Sequence, residues 1–232
     1  MTTKLRGGLL VLLWCWSGPA GAFCQAAAPG SAATLEEINR VLAGAKTVFT
    51  HFVQERHLSL FHEPLQSEGY LCFEQPRRIR WEVTEPYRSI LISDGSGVAQ
   101  FEWVGDQWKK LDLGLAAAMQ SVVSQIAEVM RGQYGRESRQ YNVALANTDG
   151  GPVVTLVPRN EKVRKMIQAI EVRLAPDLAV TRQVVIREKD GDFTEIRFDG
   201  QFVGLRLPEG TFDRRAPLAL EQIRQATGKG GR

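Results

Sequence analysis

The feature that most constrains this chain is the recurrence, from Val48 to Phe198, of short segments in which apolar and polar side chains alternate. Between Pro76 and Pro86, Ile79, Trp81 and Val83 alternate with Arg78, Arg80, Glu82 and Thr84, the period-two pattern of a strand with one dry and one wet face. The same period runs through Val48, Thr50 and Phe52 and through Leu71 and Phe73. Turn residues separate the segments at Asp94-Gly95-Ser96-Gly97, Gly105-Asp106, Asn147 to Gly151, Pro176-Asp177 and Asp190-Gly191. The pattern predicts strands over 48–60, 70–74, two within 76–95 interrupted at Glu85-Pro86, then 98–104, 107–113, 141–146, 153–157, 167–174, 179–188 and 193–198. Pro64 and Gly69 are read as bracketing a turn. Ten or eleven antiparallel strands are too many for a flat open sheet, so the sheet is expected to curl.

Two segments follow helical spacing instead. Thr34-Leu35-Glu36-Glu37 has the form of a capping box, and Leu35, Ile38, Val41, Leu42 and Ala45 make one apolar stripe behind it. In mid-chain, Leu115, Met119, Val122, Val123, Ile126, Val129 and Met130 repeat at the same spacing, and Gly132 can end that helix. Both helices must bury their stripes, and the inside or mouth of the curl is the available place.

The start of the chain has a different character. Lys4 and Arg6 precede the apolar run Leu9 to Trp16, followed by Gly18, Pro19 and Ala20-Gly21-Ala22, the three-part layout of a secretory signal peptide. The run is far shorter than the roughly 20 residues that span a bilayer. The expected organisation is a signal peptide at 1–22, a flexible leader at 23–33, a folded domain at 34–213 and a C-terminal tail at 214–232. Cleavage after Ala22 removes Lys4 and Arg6 and lowers the formal charge from +3 to +1, which leaves no strong field to recruit nucleic acid. Of the cysteines outside the signal, Cys72 is expected to pack as a small apolar side chain, a bridge to Cys24 being the alternative.

Catalytic signals are weak. Ser96 lies in a strand-to-strand turn without Gly-x-Ser-x-Gly. His51, His57 and His62 are the whole histidine complement; in one strand the first two would stand about 20 Å apart, and no zinc-type spacing supports them. No phosphate-binding glycine motif is present. No enzyme, metal or cofactor is therefore expected. Arg77, Arg78, Arg80 and Arg88 form the one basic cluster, read as a solvated outer face.

Taken in order, "FTHFVQERHLSL", "PLQSEGYLCFEQP", "RIRW", "EPYRSILISDG", "LVPRN" and "VIREKDGDFTEIRF" resemble the LolA family, periplasmic carriers of outer-membrane lipoproteins. The resemblance covers roughly residues 34–213, and its most specific part is Pro76, Trp81, Pro86 and Ser89 to Gly95 in that spacing. It implies a mainly β fold: a highly curved antiparallel sheet forming an incomplete barrel, with α-helices as a lid over an apolar cavity that takes acyl chains. By position, Trp81 and Leu91 match cavity-lining residues and Ile79 a further wall position. Phe73 and Val83 complete the expected wall, and Met119, Val122, Ile126 and Met130 the lid. The implied partners are an acylated lipoprotein or lipid cargo, an inner-membrane transporter as donor and an outer-membrane receptor as acceptor, with the carrier a monomer in the periplasm. Lipoprotein carriers of the family place Arg before the proline that is Pro76 here, where it latches the lid; this chain has Gln75. Gln keeps an amide donor but lacks the charged fork, so a lipid-linked product of polyene or glycolipid type is an alternative cargo. A module binding a protein partner is the non-lipid alternative.

Overall fold

The computed structural model describes residues 32–111, 130 and 140–228. In it the alternating segments become eleven strands: β1 (Thr47–His57), β2 (Leu65–Glu74), β3 (Arg78–Glu85), β4 (Ser89–Asp94), β5 (Val98–Val104), β6 (Gln107–Lys110), β7 (Tyr141–Thr148), β8 (Gly151–Pro158), β9 (Ile167–Leu174), β10 (Thr181–Glu188) and β11 (Phe193–Val203). They pair in one sheet of order β6-β5-β4-β3-β2-β1-β11-β10-β9-β8-β7. Each pairing is antiparallel, and β1 joins the two halves by pairing with both β2 and β11. The outermost strands β6 and β7 do not pair with each other, so the barrel is incomplete.

The strands expected from alternation are all present, with shifted ends. Gly69 is not a turn residue: it lies inside β2, at an irregularity of the β2–β3 register, opposite Phe52 and Val83. A Cβ there would stand 1.9 Å from the Glu82 carbonyl oxygen, so the glycine is required by close approach of the strands rather than by a bend.

Helix α1 (Leu35–Gly44) opens as the capping box predicts. The Thr34 hydroxyl accepts from the Glu37 amide at 3.2 Å, and the Glu37 carboxylate accepts from the Thr34 amide at 3.0 Å. Its stripe buries Ile38 and Leu42 against Tyr141, Leu156, Ile170 and Val172 of β7 to β9. Two further helices are short: α2 (Glu161–Arg164), between β8 and β9, and α3 (Leu220–Gly228). Of the expected mid-chain helix, Met130 is described, and it is helical and buried. Among the described residues no helix is long and apolar enough to cross a membrane.

Because every pairing is antiparallel, the connections fall at two ends of the sheet. At one end, here called the rim, lie the links β1–β2, β3–β4, β5–β6, β8–β9 and β10–β11; at the other, the base, lie β2–β3, β4–β5, β7–β8 and β9–β10. Helix α1 is tied to the base at both its ends. Asn147, at the end of β7, accepts from the Ala33 amide at 3.0 Å and donates to its carbonyl at 3.2 Å. Gln75, at the β2–β3 turn, donates to the Ala43 and Ala45 carbonyls at 3.1 and 3.0 Å.

The second face of the β2 to β5 half is not wet, which corrects the reading of a solvated outer face at Arg80, whereas Arg77 and Arg88 are exposed and Arg78 is partly so. Cys72, Ile90, Ile92 and Phe101 on that face are covered by Leu207, Phe212 and Ile223 of the C-terminal segment. The stretch expected as a tail therefore contributes α3 and part of the core. Beneath it Arg80 and Glu82 are each 1% exposed. The guanidinium donates to the Glu82 carboxylate at 2.6 and 3.0 Å and to the Leu218 and Thr211 carbonyls at 2.6 and 3.3 Å. Burial pushes the Glu82 carboxyl up, against the pull of the Arg80 charge. Among the described residues no buried side-chain nitrogen or oxygen lacks a partner. The basic cluster is thus dispersed: Arg78 pairs with Glu74 at 2.6 Å and lies 4.8 Å over the Phe212 ring, while Arg88 stacks on Trp103.

Candidate functional site

The inner face of β1 to β4 gathers one apolar cluster. Register sets its middle row: Leu71 on β2 faces Trp81 on β3, which faces Leu91 on β4. The row nearer the base pairs Val48 with Phe73 and Phe73 with Ile79. Phe52 of β1 stacks on Trp81 with ring centroids 4.0 Å apart and planes 28° off parallel, a contact of about 0.5–1.5 kcal/mol beyond its buried area. Ala45, Ile196 and Met130 complete the buried part, with Val83, Val98 and Phe198 packed against it.

Six of the nine expected ligand-contacting residues are described, and all six fall in this one cluster. Phe73, Ile79, Leu91 and Met130 are buried, and Trp81 and Val83 are half-buried. Met119, Val122 and Ile126 lie outside the described residues. Accessibility rises along β3 from Ile79 through Trp81 and Val83 to the exposed Glu85, so the cluster grades from the base towards the rim. Phe52 and Phe198 belong to the site although the sequence reading does not assign them to the wall. Phe52 had a signal, since it continues the Val48, Thr50, Phe52 alternation; Phe198 became a neighbour only when β11 paired with β1.

Gln75 meets the apolar cluster at its edge, through the backbone of Ala45. Its amide donates to the two carbonyls at the C-terminal end of α1, and its own backbone N–H donates to the Lys46 carbonyl at 2.9 Å. These satisfy acceptors that the last turn of a helix leaves unpaired. The sole side-chain donor expected to act as a latch therefore binds α1.

The polar residues weighed for catalysis are dispersed. Ser96 donates to Asp94 at 2.8 Å within the β4–β5 turn, and Arg214 grips the other Asp94 oxygen at 2.6 Å. Burial would raise the Asp94 carboxyl, but the hydrogen bonds from Arg214, Ser96 and Gly97 outweigh it and hold it well below the usual carboxylate range. His51 lies 3.0 Å from Asp199, and His57 stacks on Phe193. Among the described residues no group of three or more His, Cys, Asp or Glu side chains could hold a metal ion. Cys72 is unpaired and buried, and burial pushes its thiol up to about 12, which leaves it an inert core side chain.

An apolar wall of adaptable side chains such as this can hold a greasy group. Comparison with known proteins bears on this. The family described as "Outer membrane lipoprotein carrier protein LolA" matches residues 43–215. An outer-membrane lipoprotein carrier protein of Pseudoalteromonas translucida is 21% identical over 203 residues, covering 88% of this chain and 93% of that protein. One from Chromobacterium violaceum is 24% identical over 197 residues, covering 85% and 90%. Among solved structures, a LolA superfamily protein from Nitrosomonas europaea is similar over 78% of this chain and 98% of that one, with a TM-score of 0.40 and 10% identity.

Proposed function

The chain belongs to the LolA family, and from that premise we propose that it is a periplasmic carrier that shields the acyl chains of a lipoprotein between an inner-membrane donor and an outer-membrane acceptor. It works by binding and release, without catalysis or cofactor. The observation that carries the reading is the single apolar cluster of Phe73, Ile79, Trp81, Val83, Leu91 and Met130, half-open at Trp81 and Val83.

The physics of the cargo sets what such a wall must do. Each methylene taken from water is worth about 0.8 kcal/mol, so a chain of roughly 15 methylenes resists the aqueous phase by about 12 kcal/mol. Branched aliphatic, aromatic and Met side chains offset this without directional bonds, so the wall can accept chains of differing length. Transfer onward requires an acceptor that binds the chains more tightly, because equal affinity shifts nothing. Met119, Val122 and Ile126 are assigned to the covering helix in this mechanism, and Gln75 to holding α1 in place.

The test is binding of a fluorescent fatty acid, in competition with a diacylated lipopeptide, to the chain beginning at residue 23. Trp81→Glu is expected to abolish uptake while near-native circular dichroism is retained, and Trp81→Phe to keep most of it. Absence of uptake by the unsubstituted protein would overturn the carrier, and unfolding of Trp81→Glu would show that the cluster is packed core.

A further inference from the structure

The exposed large apolar side chains are not spread evenly over the described surface. Leu60, Phe61 and Leu65 lie in or beside the β1–β2 link, Tyr87 in the β3–β4 link, Val104 at the end of β5 and Met166 between α2 and β9. These six of the nine exposed large apolar side chains among the described residues stand at the rim; the other three, Val41 on α1 and Phe202 and Val203 at the end of β11, lie at the base and are the least exposed of the nine. At the rim exposure is high for the size of the side chains: Leu60 is 84% exposed, Tyr87 85% and Met166 70%. Separate loops carry them, so they form protruding tips rather than one flat patch.

Two further observations belong to the same end. Residues 159–166 place Arg159, Lys162, Arg164 and Lys165 against one acid, Glu161, and Lys162, Arg164 and Lys165 are exposed beside Met166. At the β3–β4 and β5–β6 links, Arg88 lies 4.3 Å over Trp103 and 5.2 Å over Trp108, which puts amphipathic rings and a cation next to Tyr87. The apolar cluster also becomes accessible towards this rim, through Trp81 and Val83, whereas the base is crossed by α1 tied at Asn147 and Gln75.

We propose that the rim is a lipid-contacting surface: its apolar tips enter the interfacial layer of an anionic phospholipid bilayer, Lys162 and Lys165 at and just after α2 meet the headgroups, and the apolar cluster is thereby presented to the membrane. A bilayer fits this rim because it demands no matching shape from separate loops. It accepts Leu, Phe and Met tips below a belt of Tyr and Trp, and it attracts basic residues at its surface. The contact is weak and salt-sensitive, since the four cations act through a screened field. Why the rim should face lipid rests on the carrier reading, but the contact itself does not.

The experiment is flotation of the chain beginning at residue 23 with vesicles of equal parts phosphatidylglycerol and phosphatidylcholine, and with vesicles of phosphatidylcholine alone, at low and high salt. Binding is expected to the anionic vesicles and to fall about tenfold on phosphatidylcholine or at high salt. The triple variant Leu60→Ser/Phe61→Ser/Tyr87→Ser is expected to lose about tenfold in bound fraction while taking up a fluorescent fatty acid from solution as before. Lys162→Gln/Lys165→Gln, remote from those loops in sequence, is expected to lose the preference for phosphatidylglycerol. No flotation of the unsubstituted protein, or equal flotation of it and both variants, would overturn the proposal. Flotation lost in the variants of a protein that takes up no fatty acid would uphold the rim while removing the carrier reading.

Discussion

Arg80 and Glu82 are the pair this fold can least lose by halves. Both are buried, and the guanidinium also holds the carbonyls of Thr211 and Leu218, so one ion pair fastens the C-terminal segment to β3. Taking both charges out of water is costly, which makes the intact pair of small net worth, while removing one partner strands the other. Arg80→Met and Glu82→Leu are each expected to lower the unfolding free energy by about 3–5 kcal/mol in urea, and the double substitution by much less than their sum. Additive losses would show that the pair is not coupled. Alternation placed these two residues opposite Ile79, Trp81 and Val83, and that much was legible. What covered them was not, because the cover comes from residues 205–228, more than 120 positions along the chain. The run Ile90-Leu91-Ile92 on β4 was the available hint, since a strand buried on both faces reads as continuous rather than alternating apolar residues.

At the scale of elements, the readable parts were those with a local cause. The capping box marks the start of α1, and the period-two runs mark the strands, because both patterns are set by neighbours in sequence. Gly69 misled for a non-local reason: a glycine forced by the approach of β3 looks, in sequence, like a turn. Helix α3 is nine residues long, and Ile223 and Thr227 are its buried residues, too short a stripe to stand out. Gln75 is the residue whose role depends most on its element. Its two hydrogen bonds close the free end of α1, each worth about 0.5–1.5 kcal/mol. Gln75→Ala is expected to speed hydrogen exchange of the α1 amides about tenfold while the strand amides keep theirs, and Gln75→Arg to restore protection. Unchanged exchange in α1 would mean that the helix is held by its apolar stripe alone.

For the whole molecule, a single open sheet has its two ends put to different uses: a base crossed by α1 and a rim where the apolar cluster approaches the surface. The wall of the candidate site was legible because its members on β2, β3 and β4 repeat with period two and share a face. Its depth was not, since Ile196 and Phe198 join it only through the β1–β11 pairing, which no local pattern encodes. The account therefore turns on whether acyl chains lie against Trp81. In a chain beginning at residue 23 with Trp103→Phe and Trp108→Phe, Trp81 is the one tryptophan left, and its emission can be followed during titration with a diacyl lipid brominated at mid-chain. Saturable quenching at about one lipid per protein, reversed by the unbrominated lipid, is the expected result. Binding of the lipid without quenching of Trp81, or no binding at all, would contradict it.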